Sequence, residues 1–304
     1  MSFSSSVKQE LCRAPLSRRT DALAEAYGVL LFCNTFSGEQ VRIITESRDF
    51  AERLPKLFRK AFSLSFDEEP EPEDAGKLQF VLNSPEKLDR LATSLELDRK
   101  TSVTLHVNFG LLEEESGRIA FLRGAFLAGG SVTDPAKRYH LELCTSHFKV
   151  SRETCYLMGE LGFSPKELTR NGESILYFKQ SDYIEDYLTV LGASVAAMEV
   201  MEARVEKDLR NGVNRRVNCE TANLTKVVDA SIGQVAAIEA LQREGILDTL
   251  PEKLRQTALL RLENPEATLQ ELAEMVQPPV TKSAMNHRMR KLLELAGERK
   301  GEAT

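Results

Sequence analysis

Residues 281–291 carry the side chains of this chain that are best suited to binding chemistry. The segment has four basic residues and no acid, which gives it a net charge of +4. Its polar side chains recur at helical spacing, so they share one side of a predicted helix: Ser283, Asn286, His287 and Arg290. Asparagine can hydrogen-bond adenine edges, and arginine can donate two parallel hydrogen bonds to guanine. The pattern therefore predicts that Asn286 and Arg290 contact bases in a DNA groove.

The residues around this face are suited to phosphate. Lys282, Arg288 and Lys291 flank it, and such contacts position a helix on duplex DNA without reading its sequence. The alternative is an exposed basic helix in an ordinary three-helix bundle, although a solvated face usually mixes both signs of charge. The segment's predicted DNA-contacting residues are therefore Thr281, Lys282, Ser283, Asn286, His287, Arg288, Arg290 and Lys291.

Three short helices are predicted to position these side chains. A first helix runs from Pro251 to Leu262, and Asn264-Pro265 stops it. Thr268, with Glu271 three residues later, forms a capping box that starts the second. After the break at 277–279, the third begins at Thr281 or Ser283 and ends at Ala296, with a predicted buried face of Met285, Met289, Leu292, Leu293 and Ala296. A tight break before a basic helix is typical of a helix-turn-helix.

A second basic segment covers residues 209–219. It contains three arginines, three asparagines and no acid. Asn211-Gly212 is predicted to end a helix that starts near Ala193, and a further helix is predicted from Thr221 to Gln242. Because the guanidinium fork suits phosphate oxygens, the segment is a second candidate contact with double-stranded DNA; a solvated linker is the alternative. The candidate residues are Asn214, Arg215 and Arg216.

The first 200 residues contain a repeat. Two apolar helices with a central glycine, Gly28 and Gly124, lie 96 residues apart, and the elements that follow keep an offset of 96 to 98, with Val41 matched to Tyr139. The order predicts an αββαβα unit present twice, with the glycines allowing the two helices to pack closely at a pseudo-dyad. The predicted fold class is α+β with four parts: a first half over 1–97, a second half over 98–200, a helical basic linker over 201–220, and an all-α helix-turn-helix domain over 221–304.

The second glycine helix resembles a known motif. Residues 121–131 resemble a degenerate LAGLIDADG motif of homing endonucleases. The resemblance implies two such helices at the centre of a β-saddle that lies on DNA, with an acid near the end of each helix to hold a divalent metal. Those positions are Cys33 and Gly129 here, and neither supplies the oxygen ligands that magnesium takes. We therefore expect no nuclease activity, no metal and no cofactor. The alternative is a metal-dependent endonuclease whose rearranged site uses Asp134 and Glu39.

Two other binding sites are weaker hypotheses. His140, Cys144 and His147 are close in sequence. In a strand His140 and Cys144 would share a face and His147 would point elsewhere, whereas zinc needs a tetrahedral ligand set. A small-molecule sensor is the other alternative, but the chain has no phosphate loop or dinucleotide fingerprint to support it.

Charge and composition bound the partners and the compartment. Residues 1–200 carry a net charge of −6 and residues 201–304 a net charge of zero, so the front half is expected to be a platform for a protein partner or for weak DNA contact. No apolar run reaches the roughly 20 residues of a membrane span. Five irregularly spaced cysteines fit a reducing cytoplasm. The expected location is cytoplasmic and nucleoid-associated.

The whole chain resembles the WhiA family of bacterial regulators. Three stretches carry the resemblance beyond the architecture: residues 2–11, 214–226 and 282–291. The resemblance covers nearly all 304 residues. It implies a non-enzymatic, DNA-binding transcriptional or nucleoid-associated regulator that is linked to cell division, and to sporulation in the lineages that sporulate.

Overall fold

The computed structural model describes residues 2–71, 76–97 and 105–300, with the side chains of 298–300 excepted. The chain divides into two compact units, Met1–Asp208 and Leu209–Thr304. The acids and prolines from Asp67 to Gly76 predict an exposed loop, and part of this stretch lies outside the described residues. Within those residues, no helix is long and apolar enough to cross a membrane.

The first half of the first unit has the predicted αββαβα order after an additional N-terminal helix. Its three strands form an antiparallel sheet in the order β1-β2-β3. The elements are α1 (Phe3–Leu11), α2 (Arg19–Phe32), β1 (Thr35–Phe36), β2 (Val41–Thr45), α3 (Arg48–Phe62), β3 (Leu78–Leu82) and α4 (Pro85–Ser94).

The second half repeats this order with one additional strand. Its four strands form an antiparallel sheet in the order β4-β5-β7-β6. The additional strand, β6, is exposed at every position and has one apolar residue, Leu168, and one β-branched residue, Thr169, so its sequence gives little indication of a strand. The elements are α5 (Glu115–Gly129), β4 (Gly130–Val132), β5 (Leu141–Thr145), α6 (Phe148–Glu160), β6 (Lys166–Arg170), β7 (Glu173–Phe178) and α7 (Ser181–Leu191).

The bounds of the strands correct the register of the repeat. Strand β2 begins at Val41 and β5 at Leu141, and the helices that follow them begin at Arg48 and Phe148. Val41 therefore corresponds to Leu141, 100 residues on, and its predicted match with Tyr139 is wrong by two positions. The turn between β4 and β5 is longer than the turn between β1 and β2, which accounts for the difference from the 96-residue spacing of the glycine helices.

The two glycine helices pack directly on each other, as predicted, and the contact is reciprocal. A methyl group on Gly28 would overlap the carbonyl oxygen of Phe121 and press on the backbone nitrogen of Ala125. A methyl group on Gly124 would overlap the carbonyl oxygen of Glu25 and press on the backbone nitrogen of Val29. Each pair of contacts is the other displaced by 96 residues, so α2 and α5 are related by the pseudo-dyad of the repeat.

A buried ion cluster lies beside this helix pair. Glu25 is 1% exposed and accepts two hydrogen bonds from Arg53, at 2.6 Å from Nε and 2.8 Å from Nη2. Arg123 of α5 donates to the same carboxylate at 3.3 Å. Arg53 Nη1 also donates to the carbonyls of Cys12 and Ala14. The cluster therefore joins α2, α3, α5 and the segment that follows α1.

Helix α8 runs without interruption from Ser194 to Arg243, a length of 50 residues. The predicted break at Asn211-Gly212 is wrong, and the helix predicted from Thr221 is part of this longer one. A glycine inside a helix costs about 1 kcal/mol relative to alanine but does not block the helix as proline does. A terminating glycine usually takes a positive φ, and Gly212 is not among the residues with one. The basic segment is therefore helical, and every residue from 208 to 230 is exposed.

The second unit contains the three predicted helices, α9 (Glu252–Glu263), α10 (Leu269–Met275) and α11 (Lys282–Lys300). Leu293 is 38% exposed, so its predicted place in the core is wrong. Helix α11 nevertheless buries most of its predicted apolar face. The buried hydrophobic residues of this unit are Ile238, Leu241, Leu247, Leu254, Ala258, Leu272, Ala273, Val276, Met285, Met289 and Leu292.

A buried arginine fixes the connection between α9 and α10. Arg261 is 2% exposed. Its Nη1 donates to the carbonyl of Ala267 at 2.5 Å and lies 3.3 Å from the carbonyls of Asn264 and Pro265. Ser231 of α8 donates to the same Pro265 carbonyl. These bonds satisfy loop carbonyls that would otherwise be buried without partners.

Candidate nucleic-acid interface

The start of α11 is held by local hydrogen bonds. Thr281 accepts from the backbone nitrogen of Ala284 at 3.2 Å, which caps the helix. The backbone nitrogen of Val280 donates to the carbonyl of Ala273 at 3.0 Å, which ties the intervening turn back to α10. Helix α10 itself begins with the predicted capping box of Thr268 and Glu271. These bonds fix the angle at which α11 leaves the turn.

Helix α11 presents the predicted polar face to solvent. Its apolar side, which includes Met285 and Met289, is buried, so the opposite side cannot pack on the same core. Within residues 281–291 the structure describes no acidic side chain, and the nearest acid of the helix is Glu294. The exposed predicted residues are Thr281, Lys282, Ser283, Asn286, His287, Arg290 and Lys291.

Two arginines of this helix differ in how available they are. Arg288 is only partly exposed, and its Nη1 is buried without a hydrogen-bond partner among the described residues. It is therefore a poorer candidate for a phosphate contact than the lysines beside it. Arg290 Nε lies 3.7 Å from Glu294 Oε1, and both side chains are more than 60% exposed. An exposed pair of this kind is worth at most about 1 kcal/mol, so DNA can displace it.

The second basic segment lies on a different helix. Asn214, Arg215 and Arg216 are exposed on α8, in the same compact unit as α11. The sequence predicts them in a helical basic linker, after a helix end at Asn211-Gly212, but they lie within a continuous helix. The helix therefore sets the directions of their side chains.

The two positions where the LAGLIDADG resemblance expects an acid cannot act as carboxylate ligands. A side chain at Gly129 would collide with the carbonyl oxygen of Cys144 and press on Phe32. The carbonyl oxygens of Leu30 and Thr35 both lie 3.2 Å from Cys33 Sγ, so the single thiol proton has two acceptors within reach. Burial raises the pKa of Cys33 to about 12, so the thiol keeps its proton at neutral pH.

The other candidate metal ligands form local contacts. Asp134 accepts from the backbone nitrogen of Ala136 at 2.9 Å within its own turn, and Glu39 lies exposed in the turn after β1. His140 Nε2 lies 3.1 Å from Glu142 Oε2. His147 is the residue before α6, and burial lowers its pKa. In the described parts of the chain, no three histidine, cysteine or carboxylate side chains are grouped so as to hold a metal ion.

A polar cleft near the ends of α2 and α5 contains a lysine that the sequence did not single out. The cleft has a volume of about 410 Å³, and Asn34 and Ala128, the chain neighbours of Cys33 and Gly129, line it. Lys8 of α1 donates to the carbonyl of Leu127 at 3.0 Å, and burial lowers its pKa to about 8. The cleft thus presents an amine near the end of α5, and it is lined by a chain neighbour of each degenerate position. No sequence signal marks Lys8, because its place depends on how α1 packs.

Two family models match the chain. The model described as the WhiA LAGLIDADG-like domain matches residues 118–210, and the model described as the WhiA C-terminal HTH domain matches residues 213–296. A curated relative from Clostridium perfringens, described as a probable cell division protein WhiA, is 37% identical over 310 residues that span 98% of each chain. A relative from Alkaliphilus metalliredigens with the same description is 35% identical over 316 residues, the full length of both chains.

A solved structure shares the fold. The crystal structure of full-length WhiA from Thermatoga maritima matches 98% of this chain and 99% of its own length, with a TM-score of 0.59 and 24% sequence identity. The predicted α+β class, a LAGLIDADG-like part followed by a helical helix-turn-helix part, is therefore confirmed.

Proposed function

This chain belongs to the WhiA family, and we propose that it is a non-enzymatic regulator that binds double-stranded DNA through α11. The observation that carries the proposal is the exposed face of α11, which has no acid over residues 281–291. Thr281 caps this helix, and its opposite face packs into the core. In order along the chain, α11 stands where the second helix of a helix-turn-helix would be. In this motif the second helix lies in the major groove. A solvated face without a DNA partner would ordinarily mix both signs of charge.

The side chains divide into two roles on DNA. Asn286 and Arg290 contact base edges, since their amide and guanidinium groups match adenine and guanine. Lys282 and Lys291 contact phosphates on either side of the groove. The structure weighs against Arg288 in that role because one of its nitrogens is buried. The remaining proposed contacts are Thr281, Ser283 and His287 on α11, and Asn214, Arg215 and Arg216 on α8.

Replacing Arg290 with alanine is expected to weaken binding to the preferred site by about 1–3 kcal/mol and to relax specificity at one base pair. Replacing Lys291 with alanine should weaken all duplexes alike and reduce the salt dependence of binding by about one phosphate contact. The preferred site is first selected from randomised duplexes with the wild-type protein. Fluorescence anisotropy with labelled duplexes at several salt concentrations then measures both variants.

Glu294→Ala is the matched control, because it removes the side chain that pairs with Arg290. It should leave binding unchanged or strengthen it. If the Arg290→Ala and Lys291→Ala variants both bind DNA with the wild-type affinity, α11 is not the helix that contacts DNA.

We propose that the LAGLIDADG-like part binds a protein partner, or DNA weakly, and does not cleave DNA. Neither degenerate position can supply a carboxylate, and Lys8 is one of the residues that line the nearby cleft. We expect no nicking of supercoiled plasmid by the purified protein with magnesium or manganese, measured by gel electrophoresis. Metal-dependent nicking that Asp134→Ala abolishes would instead favour the alternative of an endonuclease with a rearranged site.

The cellular role follows from the family. Relatives of this chain are described as probable cell division proteins, and we propose a role for it in cell division, and in sporulation where the lineage sporulates. It is expected to act in the cytoplasm, at the nucleoid. The acidic balance of residues 1–200 favours a protein partner for that part over tight DNA contact. Mapping bound genome sites with and without residues 221–304 tests whether the helix-turn-helix is required to direct the protein to DNA.

A further inference from the structure

Helix α8 carries an exposed apolar row that the proposed DNA binding does not use. The row has a residue at every fourth position, and its members are 42–68% exposed. We name these five residues the α8 ridge: Met201, Val205, Leu209, Val213 and Val217. A row of residues spaced by four is one of the ridges through which helices interlock.

Val205 of the ridge lies on a different side of α8 from the residues that contact the rest of the first unit. Those residues are Arg204, whose Nη2 lies 3.5 Å from Glu185 Oε2, and Lys207, which donates to the carbonyl of Pro135 at 2.6 Å. That side of the helix is therefore already engaged, whereas Val205 and Leu209 are 53% and 68% exposed. Contiguous exposed apolar surface of this kind marks interaction sites, and helices without tertiary packing are only marginally stable in water.

The charges around the ridge indicate what packs on it. On the amino-terminal side of Leu209, the exposed charged residues include Glu199, Glu202 and Asp208; on the carboxyl-terminal side, residues 210–217 carry arginines and no acid. Glu202 and Arg216 are each seven residues from Leu209, which is two helical turns, so both lie on the side of the ridge. An antiparallel copy of the helix, centred on Leu209, would place each acid beside an arginine. A parallel copy would place like charges together.

We propose that the α8 ridge binds the same ridge of a second copy of this chain, antiparallel, with Leu209 on the two-fold axis. Val205 of each copy then packs against Val213 of the other, and Glu202 pairs with Arg216. Interlocked ridges of this class cross at about −50°, and a self-complementary patch is what a two-fold dimer requires. The contact is small, so the dimer should be weak, with a dissociation constant on the order of micromolar.

The dimer leaves the other proposed contacts of α8 accessible. Asn214 and Arg215 follow Leu209 by five and six residues, which turns them roughly 120–140° around the helix from it. In the dimer, Arg216 is the basic residue of this segment that pairs with the second copy. The proposal goes beyond DNA binding and is tested without DNA.

Sedimentation velocity of the full-length protein, up to about 100 µM, should show a monomer–dimer equilibrium. Leu209→Asp should abolish the dimer, because it places two carboxylates at the axis. Leu224→Asp is the matched control, since Leu224 is 65% exposed on the same helix but is not part of the ridge. The Leu224→Asp variant should still form the dimer. Both positions are exposed, and circular dichroism confirms that each variant keeps its helix content.

A charge exchange tests the orientation. Arg216→Glu should weaken the dimer at least several-fold, and adding Glu202→Arg should restore it. In a Cys219→Ser background, Leu209→Cys should form a disulfide-linked dimer on mild oxidation, whereas Val213→Cys alone should not. Three results would overturn the proposal. The protein could stay monomeric at every concentration, the dimer could survive Leu209→Asp, or the ridge could bind only a different protein. DNA binding by a monomer would leave the proposed function intact.

Discussion

Replacing Glu25 with alanine is expected to lower the free energy of unfolding of the first unit by about 3–5 kcal/mol, the usual cost of removing one partner of a buried ion pair. Glu25 receives hydrogen bonds from Arg53 and Arg123, and Arg53 is only 5% exposed. Without the carboxylate, Arg53 keeps its two carbonyl acceptors but is left as a buried charge with no counter-ion.

The chain offers a selective probe for this measurement. It has no tryptophan, and its six tyrosines all lie within the first 200 residues. Tyrosine fluorescence during urea denaturation therefore reports on the first unit alone. Glu160→Ala is the control, because Glu160 pairs with Arg118 at a half-exposed site and such pairs are worth about 0–1 kcal/mol. Equal effects of Glu25→Ala and Glu160→Ala would mean that the buried cluster contributes no more than a surface pair.

Gly28→Ala and Gly124→Ala are each expected to destabilise the first unit by about 3 kcal/mol, the upper end of the cost of overpacking a core. The added methyl group would overlap a backbone carbonyl of the facing helix, and backbone cannot rotate away as a side chain can. Alanine favours a helix over glycine by only about 1 kcal/mol, so the collision outweighs the gain in propensity. Urea denaturation followed by tyrosine fluorescence measures both variants.

Gly159→Ala is the matched control in the same unit. Gly159 lies in α6, and nothing stands within 4 Å of where its methyl group would be. The substitution should therefore be neutral or stabilising. If all three glycine variants behave alike, the close approach of α2 and α5 contributes little to stability.

The sequence predicted best where local rules and packing agree. The capping box at Thr268 and Glu271 is set by neighbours along the chain. Over 282–292, the large apolar residues recur at helical spacing, and they are the ones that pack into the core. The repeat was found because its apolar helices and strands recur at nearly constant spacing. Gly28 and Gly124 could be assigned a packing role because a glycine within an apolar helix suggests close helix contact.

Other features depend on tertiary contacts that the sequence does not encode locally. Asn211-Gly212 is a common helix end, yet α8 continues through it. Glu25 and Arg261 are charged residues that a pattern assigns to the surface, but each is buried because partners from distant segments satisfy it. The position of Lys8 beside the degenerate motif likewise depends on where α1 packs.

The two repeats supply different side chains to the Glu25 cluster, although their glycine helices pack symmetrically. The 96-residue offset aligns Glu25 with Phe121 and Tyr27 with Arg123, so the carboxylate comes from one repeat and one of its arginines from the other. Two copies of the first repeat, joined through that helix face, would have Tyr27 in the place of Arg123, so Glu25 would lose one of its two arginine partners. Two copies of the second would bury Arg123 with no acid to receive it. The cluster therefore makes each repeat depend on a side chain of the other, and neither could be exchanged for a second copy of its counterpart.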